Sequence, residues 1–213
     1  MSWAELQTAP PPGTPLKCAL AGGLVPALVH TGVYLGRGRV AELRGDGKVL
    51  AVTLSDFLNG PSGAWNPAAI RTGFRIHAAC DAETGTPLAS DTAAAKAREL
   101  TLARHGRLCL EYDLLGWNCH RFTAGCLAGD FGSLDGGTWM LDRLEAVISN
   151  CLNRGRPLCW RAVSPSTPGF HYAATPGKHL QRAGLVAGVL GGLAALGIGI
   201  RHGLDDAGND RNG

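Results

Sequence analysis

The residues of this chain best suited to covalent chemistry are its seven cysteines and seven histidines, and Cys119 is the cysteine best placed to act as a nucleophile. It follows Asn118, a residue type that commonly caps helices, so the thiol is predicted to lie in the first turn of a helix. The unpaired N–H groups and the dipole of such a turn lower the pKa of a thiol, and the thiolate is the reactive form. Cys126 shares roughly the same face of this predicted helix but lies far from the N-terminal end of the dipole.

A thiol nucleophile needs a base within hydrogen-bond reach, and the sequence favours His30, which lies on the first strand of a predicted hairpin. His120 is adjacent to Cys119 but projects about 100° away around the helix, a poor angle for taking the thiol proton. Glu42 lies on the returning strand of the hairpin. An odd-numbered turn at 36–38 puts it on the same face as His30, where it would orient the imidazole. The alternative for Glu42 is an exposed charge at the edge of the sheet.

The elements that must position these groups predict an α+β fold, a small antiparallel sheet with packed helices. The predicted elements are a hairpin over 28–43, strands over 48–54 and 72–80, and helices over 91–104, 118–127 and 138–153, with Ser55 and Asp91 as further cap candidates. Proline- and glycine-rich stretches predict the domain limits. We expect a lead-in over 1–24, a catalytic domain over 25–155, a linker over 156–182, an apolar helix over 183–200 and a disordered tail over 201–213.

The segment Ala183–Ile200 contains 18 residues and no charge, and as a helix it would be about 27 Å long, close to the thickness of a bilayer core. Glycines at 184, 188 and 192 repeat at the spacing that lets membrane helices approach closely. The alternative, a buried helix of a soluble fold, is disfavoured because this much glycine weakens a helix in water. We therefore expect membrane association through this segment on the cytoplasmic side, since the N-terminus lacks the features of a secretory signal. Secretion by another route stays open.

Several function classes fit the composition poorly. The formal net charge is only +3, and no basic run is interleaved with aromatic residues, so nucleic acid is not an expected partner. The cysteines are odd in number, widely spaced and without a CxxC pair, which argues against a disulfide framework or a structural zinc site. We expect no metal and no cofactor, and we interpret the cysteines other than Cys119 as small buried hydrophobic residues.

Two segments carry a family resemblance. Residues 30–38 read HTGVYLGRG and residues 40–43 read VAEL, while residues 112–122 read YDLLGWNCHRF. They resemble two motifs of the lecithin:retinol acyltransferase-like family, H-W-G-[IV]-Y-[LV]-G-x-G with V-x-H-L, and Y-x-L-x-x-x-N-C-E-H-F. That family includes the H-Ras-like suppressor phospholipases and acyltransferases and has a permuted NlpC-type, papain-like fold. The resemblance covers about residues 25–130.

The resemblance implies that Cys119 is the nucleophile and His30 the base, and that Glu42 stands where the family has a second histidine. Tyr112 is a candidate oxyanion donor, with a half-buried packing tyrosine as its alternative, while Asn118 and His120 are expected to shape the site. Besides Glu42, the chain departs from the motifs in two places: threonine stands for tryptophan at position 31, and His-Arg stands for Glu-His at 120–121. These departures surround the nucleophile and leave the substrate open.

The expected reaction is a two-step acyl transfer through a thioester on the cysteine. An acyl lipid such as a phospholipid ester is favoured as substrate, because the apolar segment would hold the site at a bilayer. One alternative is an NlpC-type cysteine peptidase or amidase that acts on peptidoglycan or other peptides. The other is a non-enzymatic membrane-binding module, in which the thiol would have no chemical role.

Overall fold

Six strands form one antiparallel sheet in the computed structural model, which describes residues 4–20, 29–60, 71–102, 117–134, 137–138 and 140–173. The strands are β1 (Pro15–Leu20), β2 (Val29–Gly36), β3 (Arg39–Leu43), β4 (Val49–Thr53), β5 (Arg71–Asp81) and β6 (Leu158–Ala162), in the spatial order β4-β3-β2-β1-β5-β6. The helices are α1 (Leu54–Asn59), α2 (Asp91–Leu102), α3 (Cys119–Ala128) and α4 (Leu141–Leu152). The predicted α+β class with an antiparallel sheet is therefore confirmed.

The sheet extends beyond both ends of the domain predicted over 25–155. β1 falls in the predicted lead-in over 1–24, yet it lies between β2 and β5 and pairs with both. β6 falls in the predicted linker over 156–182, yet it pairs with β5 along its whole length. Both predictions are wrong for these strands. Prolines precede each of them closely, and a proline lacks only its own N–H donor, so the residues that follow it can still join a ladder.

Alternate residues of the strands face two separate apolar cores, as the period of two along a strand requires. One core lies between the sheet and α1 and includes Tyr34, Val40, Phe57, Ile76 and Phe170. The other lies between the sheet and α2, α3 and α4 and includes, as a representative set, Val33, Ala41, Ala79, Phe122 and Leu144. The interior strand β2 therefore carries side chains into both cores. At its start His30 contacts α1, and the next residue, Thr31, contacts α3.

Two of the predicted helix caps are displaced by one or two residues. Thr53 caps α1, with its hydroxyl accepting from Asp56 N at 3.1 Å, and Ser55 lies inside the helix. Ser90 precedes α2 and accepts from Ala93 N at 3.2 Å, so Asp91 is the first helical residue and not the cap. The cap residue must be extended, and a serine or threonine one position before the helix meets that requirement.

Gly32 makes the close approach of β2 to β3 and α1 possible. A Cβ atom at this position would lie 2.6 Å from Ala41 O, 2.9 Å from Val40 Cγ1 and 3.1 Å from Phe57 Cε2. We expect Gly32→Ala to lower the free energy of unfolding by about 1–3 kcal/mol, because the backbone oxygen cannot move aside without displacing β3. Denaturant titration monitored by circular dichroism measures this change.

The matched control for this prediction is Gly132→Ala. The nearest atom to a Cβ atom there is Asp130 Oδ1 at 3.5 Å, an ordinary contact, so we expect the free energy of unfolding to change by less than about 0.5 kcal/mol. Equal losses in the two variants would show that the packing at Gly32 is not the cause.

No helix in the described part of the chain is both long and apolar enough to cross a membrane. The apolar helix predicted over 183–200 and the tail predicted over 201–213 lie outside the described residues.

Candidate active site

Cys119 is the first residue of α3, and Asn118 caps that helix as predicted. Asn118 is extended, with φ −126° and ψ −175°, and its Oδ1 accepts hydrogen bonds from His120 N at 3.0 Å and Arg121 N at 3.1 Å. The cap therefore satisfies the second and third amides of the helix and holds the thiol in its first turn. Cys119 is buried, with 5% of its surface exposed, so its sulfur interacts mainly with protein groups.

His30 and Glu42 form the contact that the hairpin predicts. The pairing of Val33 with Ala41 means that the next residue of β3, Glu42, faces the side of the sheet that Gly32 and His30 face on β2. The imidazole Nε2 lies 3.1 Å from Glu42 Oε2. An ionised carboxylate only accepts, so Nε2 carries the hydrogen of this bond, and Nδ1 is the nitrogen left to exchange a proton with a thiol.

Both members of this pair are buried, and neighbouring groups fix their orientation. His30 is 6% exposed and packs against Phe57 of α1, with ring centroids 5.1 Å apart. Glu42 is 1% exposed, and its second oxygen, Oε1, lies 3.9 Å from Arg44 Nε. A buried carboxylate is costly unless charged or polar groups surround it, and here an imidazole and a guanidinium do so. The carboxylate is thereby held ready to orient the imidazole.

The sulfur of Cys119 contacts β2 where that strand runs beyond its ladder with β3. The pairs of that ladder end at Val33 and Ala41, whereas β2 begins four residues earlier, at Val29. In this region the backbone N–H of Thr31 donates to the Cys119 sulfur, and the His30 side chain hydrogen-bonds to the same atom. The thiol of the helix and the imidazole of the strand therefore meet at the start of β2.

The surroundings of Cys119 favour its thiolate. Burial by itself raises the pKa of the thiol, but the charges of His120 and His30 and the hydrogen bonds from the His30 ring and the Thr31 amide together lower that pKa to about 5. A thiolate with an imidazolium beside it is the reactive pair of a cysteine nucleophile. At neutral pH the sulfur is therefore already ionised.

Two other cysteines show that the low pKa of Cys119 depends on its surroundings. Cys126 lies on the same helix, and burial raises the pKa of its thiol to about 12. Burial likewise raises the pKa of Cys80 to about 12, on a strand of the sheet. Neither thiol is ionised at neutral pH, and both are buried as expected of small hydrophobic residues. The same expectation is wrong for Cys151, which is exposed, and for Cys159, which is only partly buried.

The structure brings Cys119, His30, Glu42, Asn118 and His120 together, while Tyr112 lies outside the described residues. His120 also has an effect that the sequence analysis did not assign. Its charge interaction is the largest of those that lower the pKa of Cys119, because a Coulomb interaction needs proximity and no particular angle.

The sequence analysis also missed three contributors to the site. They are the backbone N–H of Thr31, the Thr123 hydroxyl and the Arg44 guanidinium. A backbone donor leaves no mark in the sequence. Arg44 had a weaker signal, because it is a basic residue directly after β3 and only two positions from Glu42.

The described segments contain no group of three or more His, Cys, Asp or Glu side chains arranged to hold a metal ion. Cys119, His30 and Glu42 form a thiol–imidazole–carboxylate series, an arrangement that is capable of acyl transfer. Comparisons of this chain with protein families, with curated proteins and with solved structures found no match.

Proposed function

We propose that this protein is a cysteine-dependent acyl hydrolase or acyltransferase, in which Cys119 is the nucleophile, His30 the general base and Glu42 the group that orients the base. The observation that carries the proposal is the bonded chain from the Cys119 sulfur through the His30 ring to the Glu42 carboxylate, with Nε2 and Oε2 separated by 3.1 Å. In the same site the pKa of the thiol is lowered despite its burial.

The reaction begins from the ion pair in which His30 Nδ1 already holds the thiol proton, and the Cys119 thiolate attacks the carbonyl carbon of an ester. The carbon–oxygen bond of the tetrahedral intermediate then breaks, and the imidazolium gives its proton to the leaving alkoxide, so that a thioester remains on the sulfur. In the second step water, an alcohol or an amine gives a proton to His30 and attacks the thioester. The thiolate leaves and His30 keeps the proton, so the thiolate–imidazolium pair is restored.

The oxyanion of each intermediate needs hydrogen-bond donors, and we assign one of them to the backbone N–H of Cys119. Asn118 already binds the next two amides of the helix, so the first amide is the one left beside the sulfur. A donor in this position accelerates acyl transfer by roughly 10²–10³-fold in other enzymes. Tyr112 stays the sequence-based candidate for a second donor.

Lipid esters such as phospholipids are the proposed substrates, and the proposed fold is the permuted papain-like one. Two features of the sequence support this choice. The motifs around His30 and Cys119 resemble those of the lecithin:retinol acyltransferase-like family, and the apolar segment Ala183–Ile200 would hold the site at a bilayer. Membrane association through that segment is part of the proposal.

The test exposes the full chain to phospholipid vesicles and, separately, to peptidoglycan stem peptides. Samples are quenched in acid at short times, and intact-mass spectrometry detects any acyl adduct. We expect a fatty-acyl mass on the chain exposed to vesicles, located at Cys119 by peptide mapping, together with released fatty acid. Cys126→Ala is the matched control and should acylate like the unmodified protein.

Other outcomes of this experiment would contradict the proposal in distinct ways. Cleavage or acylation only with the peptides would identify a peptidase or amidase of the NlpC type. Absence of any adduct and of any product with both substrates would favour a membrane-binding module without catalysis. An adduct that persists in Cys119→Ala would exclude the assigned nucleophile.

A further inference from the structure

Two fully buried hydroxyl groups join the nucleophile helix to the strand that carries the base. Thr31 of β2 and Thr123 of α3 are both 0% exposed, and their Oγ1 atoms lie 3.2 Å apart. Thr123 Oγ1 also lies 2.9 Å from the backbone oxygen of Cys119, one helical turn earlier. Buried hydroxyl groups need partners, and this pair finds them in each other and in the residue that bears the thiol.

Thr123 is the donor of both bonds. Its hydroxyl is directed at Thr31 Oγ1 and at the Cys119 carbonyl oxygen, which can only accept. Because a hydroxyl has one hydrogen, Thr123 shares it between these two acceptors as a three-centre bond.

The same two residues, Thr31 and Cys119, meet a second time through the Thr31 N–H that donates to the sulfur. The two connections close a ring that consists of the sulfur, the Cys119 main chain, the Thr123 hydroxyl, the Thr31 hydroxyl and the Thr31 amide. A ring of this kind fixes the distance and angle between the strand amide and the sulfur more closely than either connection would alone.

We propose that Thr123 is a positioning residue for the nucleophile, which through its bonds to Thr31 and to the Cys119 carbonyl keeps the Thr31 amide directed at the sulfur. This inference deepens the proposed function and rests on it for its catalytic meaning. Thr123 touches no reacting atom, so its effect is exerted on the ionisation and placement of Cys119.

The test compares the pH dependence of Cys119 alkylation by iodoacetamide in variants of the full chain, followed by intact mass. Thr123→Val keeps the shape and removes the hydroxyl. The alkylation rate falls at low pH, and the midpoint of this acid limb is the pH at which the rate is half its maximum. We expect this midpoint to rise by about one pH unit in Thr123→Val, as a weakened hydrogen bond to a charged group implies. Thr123→Ser restores the hydroxyl and should return the midpoint to within a few tenths of the original value.

The matched control is Thr101→Val. Thr101 lies in α2, and its hydroxyl bonds at 2.8 Å to the carbonyl of Arg98 in the same helix, a bond of the same kind away from the thiol. Its removal should leave the alkylation midpoint unchanged. Thr31→Val removes the other hydroxyl, keeps the backbone N–H, and should raise the midpoint in the same direction as Thr123→Val. If Thr123→Val does not fold, the midpoint of Thr31→Val tests the inference in its place.

A midpoint in Thr123→Val equal to that of the unmodified protein, with only a lower melting temperature, would overturn the inference and leave Thr123 a structural residue. An additive effect of the two valine substitutions in the double variant would also contradict it, because members of one ring must be coupled. Alkylation needs no turnover, so a protein that shifts as expected but hydrolyses no ester would refute the proposed function and leave the positioning role standing.

Discussion

Replacing His30 with glutamine is expected to move the acid limb of Cys119 alkylation from a midpoint of about 5 toward the ordinary range of a cysteine thiol, near 8.5. Burial acts to raise the pKa of this thiol, and the imidazole opposes burial both by its charge and by its hydrogen bond. Glutamine retains a polar side chain but carries no charge. At pH 6.5 the thiolate fraction should therefore fall by at most roughly 100-fold, because the charge of His120 and the Thr31 amide still lower the pKa.

The sign of this pH dependence follows from which form reacts. The thiolate is the nucleophile, so the rate is full above the pKa of the folded protein and falls tenfold for each pH unit below it. In the unmodified protein this decline begins only near pH 5, and in His30→Gln it should already limit the rate at neutral pH. Turnover of an ester should fall further, by about 10²–10⁴-fold, because the base of the reaction is lost as well.

The measurement follows iodoacetamide labelling of Cys119 between pH 4 and pH 9, and His77→Gln is the matched control. His77 is a partly buried histidine of β5 whose pKa is lowered to about 4 by burial, and it is not part of the site. Its replacement should leave the limb near pH 5. A limb that stays near pH 5 in His30→Gln would show that the imidazole at position 30 does not stabilise the thiolate.

The part of the site that the sequence predicts well depends on which side of the sheet each strand residue faces and on which residue caps a helix. Successive side chains of a strand point to opposite sides of the sheet, so the length of the turn between the two strands decides whether His30 and Glu42 share a face. Asn118 is similarly informative, because a capping side chain and the first helical residue are fixed relative to each other. These rules are local, and they predicted the contact of His30 with Glu42 and the position of Cys119 in α3. The predicted turn at 36–38 is nevertheless wrong, because Gly36 pairs with Arg39, and a register shift between Tyr34 and Gly36 gives the side of the sheet that an odd turn would give.

The parts that the sequence did not reveal depend on long-range pairing. β1 lies between β2 and β5 because Leu16 pairs with Gly32 on one side and with Ala78 on the other, residues far apart in the chain. No local pattern specifies such a partner, and the neighbouring prolines favoured a loop. The Thr31 amide is available to the sulfur only because β3 does not continue its ladder with β2 to that point, which is a property of the assembled sheet.

Replacing Cys119 with serine is expected to abolish the acyl-enzyme and to lower ester turnover by at least about 10⁴-fold, the second large effect that the site predicts. A serine hydroxyl has nearly the same shape, and the cap, the base and the carboxylate all remain. The hydroxyl nevertheless ionises far less readily than the thiol, whose pKa is lowered here to about 5. A site that acts by stabilising a preformed thiolate–imidazolium pair therefore gains little from a serine.

Cys126→Ala separates loss of the nucleophile from loss of helix packing. Cys126 is 0% exposed on the same helix, and burial raises the pKa of its thiol to about 12, so its removal leaves a small cavity without affecting the reactive group. We expect this variant to be less stable than Cys119→Ser and yet to keep full acylation and turnover, as measured by intact mass and by the rate of ester hydrolysis. The less stable of the two variants would then be the active one, a result that damage to the fold alone does not produce. If instead Cys119→Ser retained turnover comparable to that of Cys126→Ala, the thiol would have no part in the reaction, and the low pKa of Cys119 would have to serve another purpose.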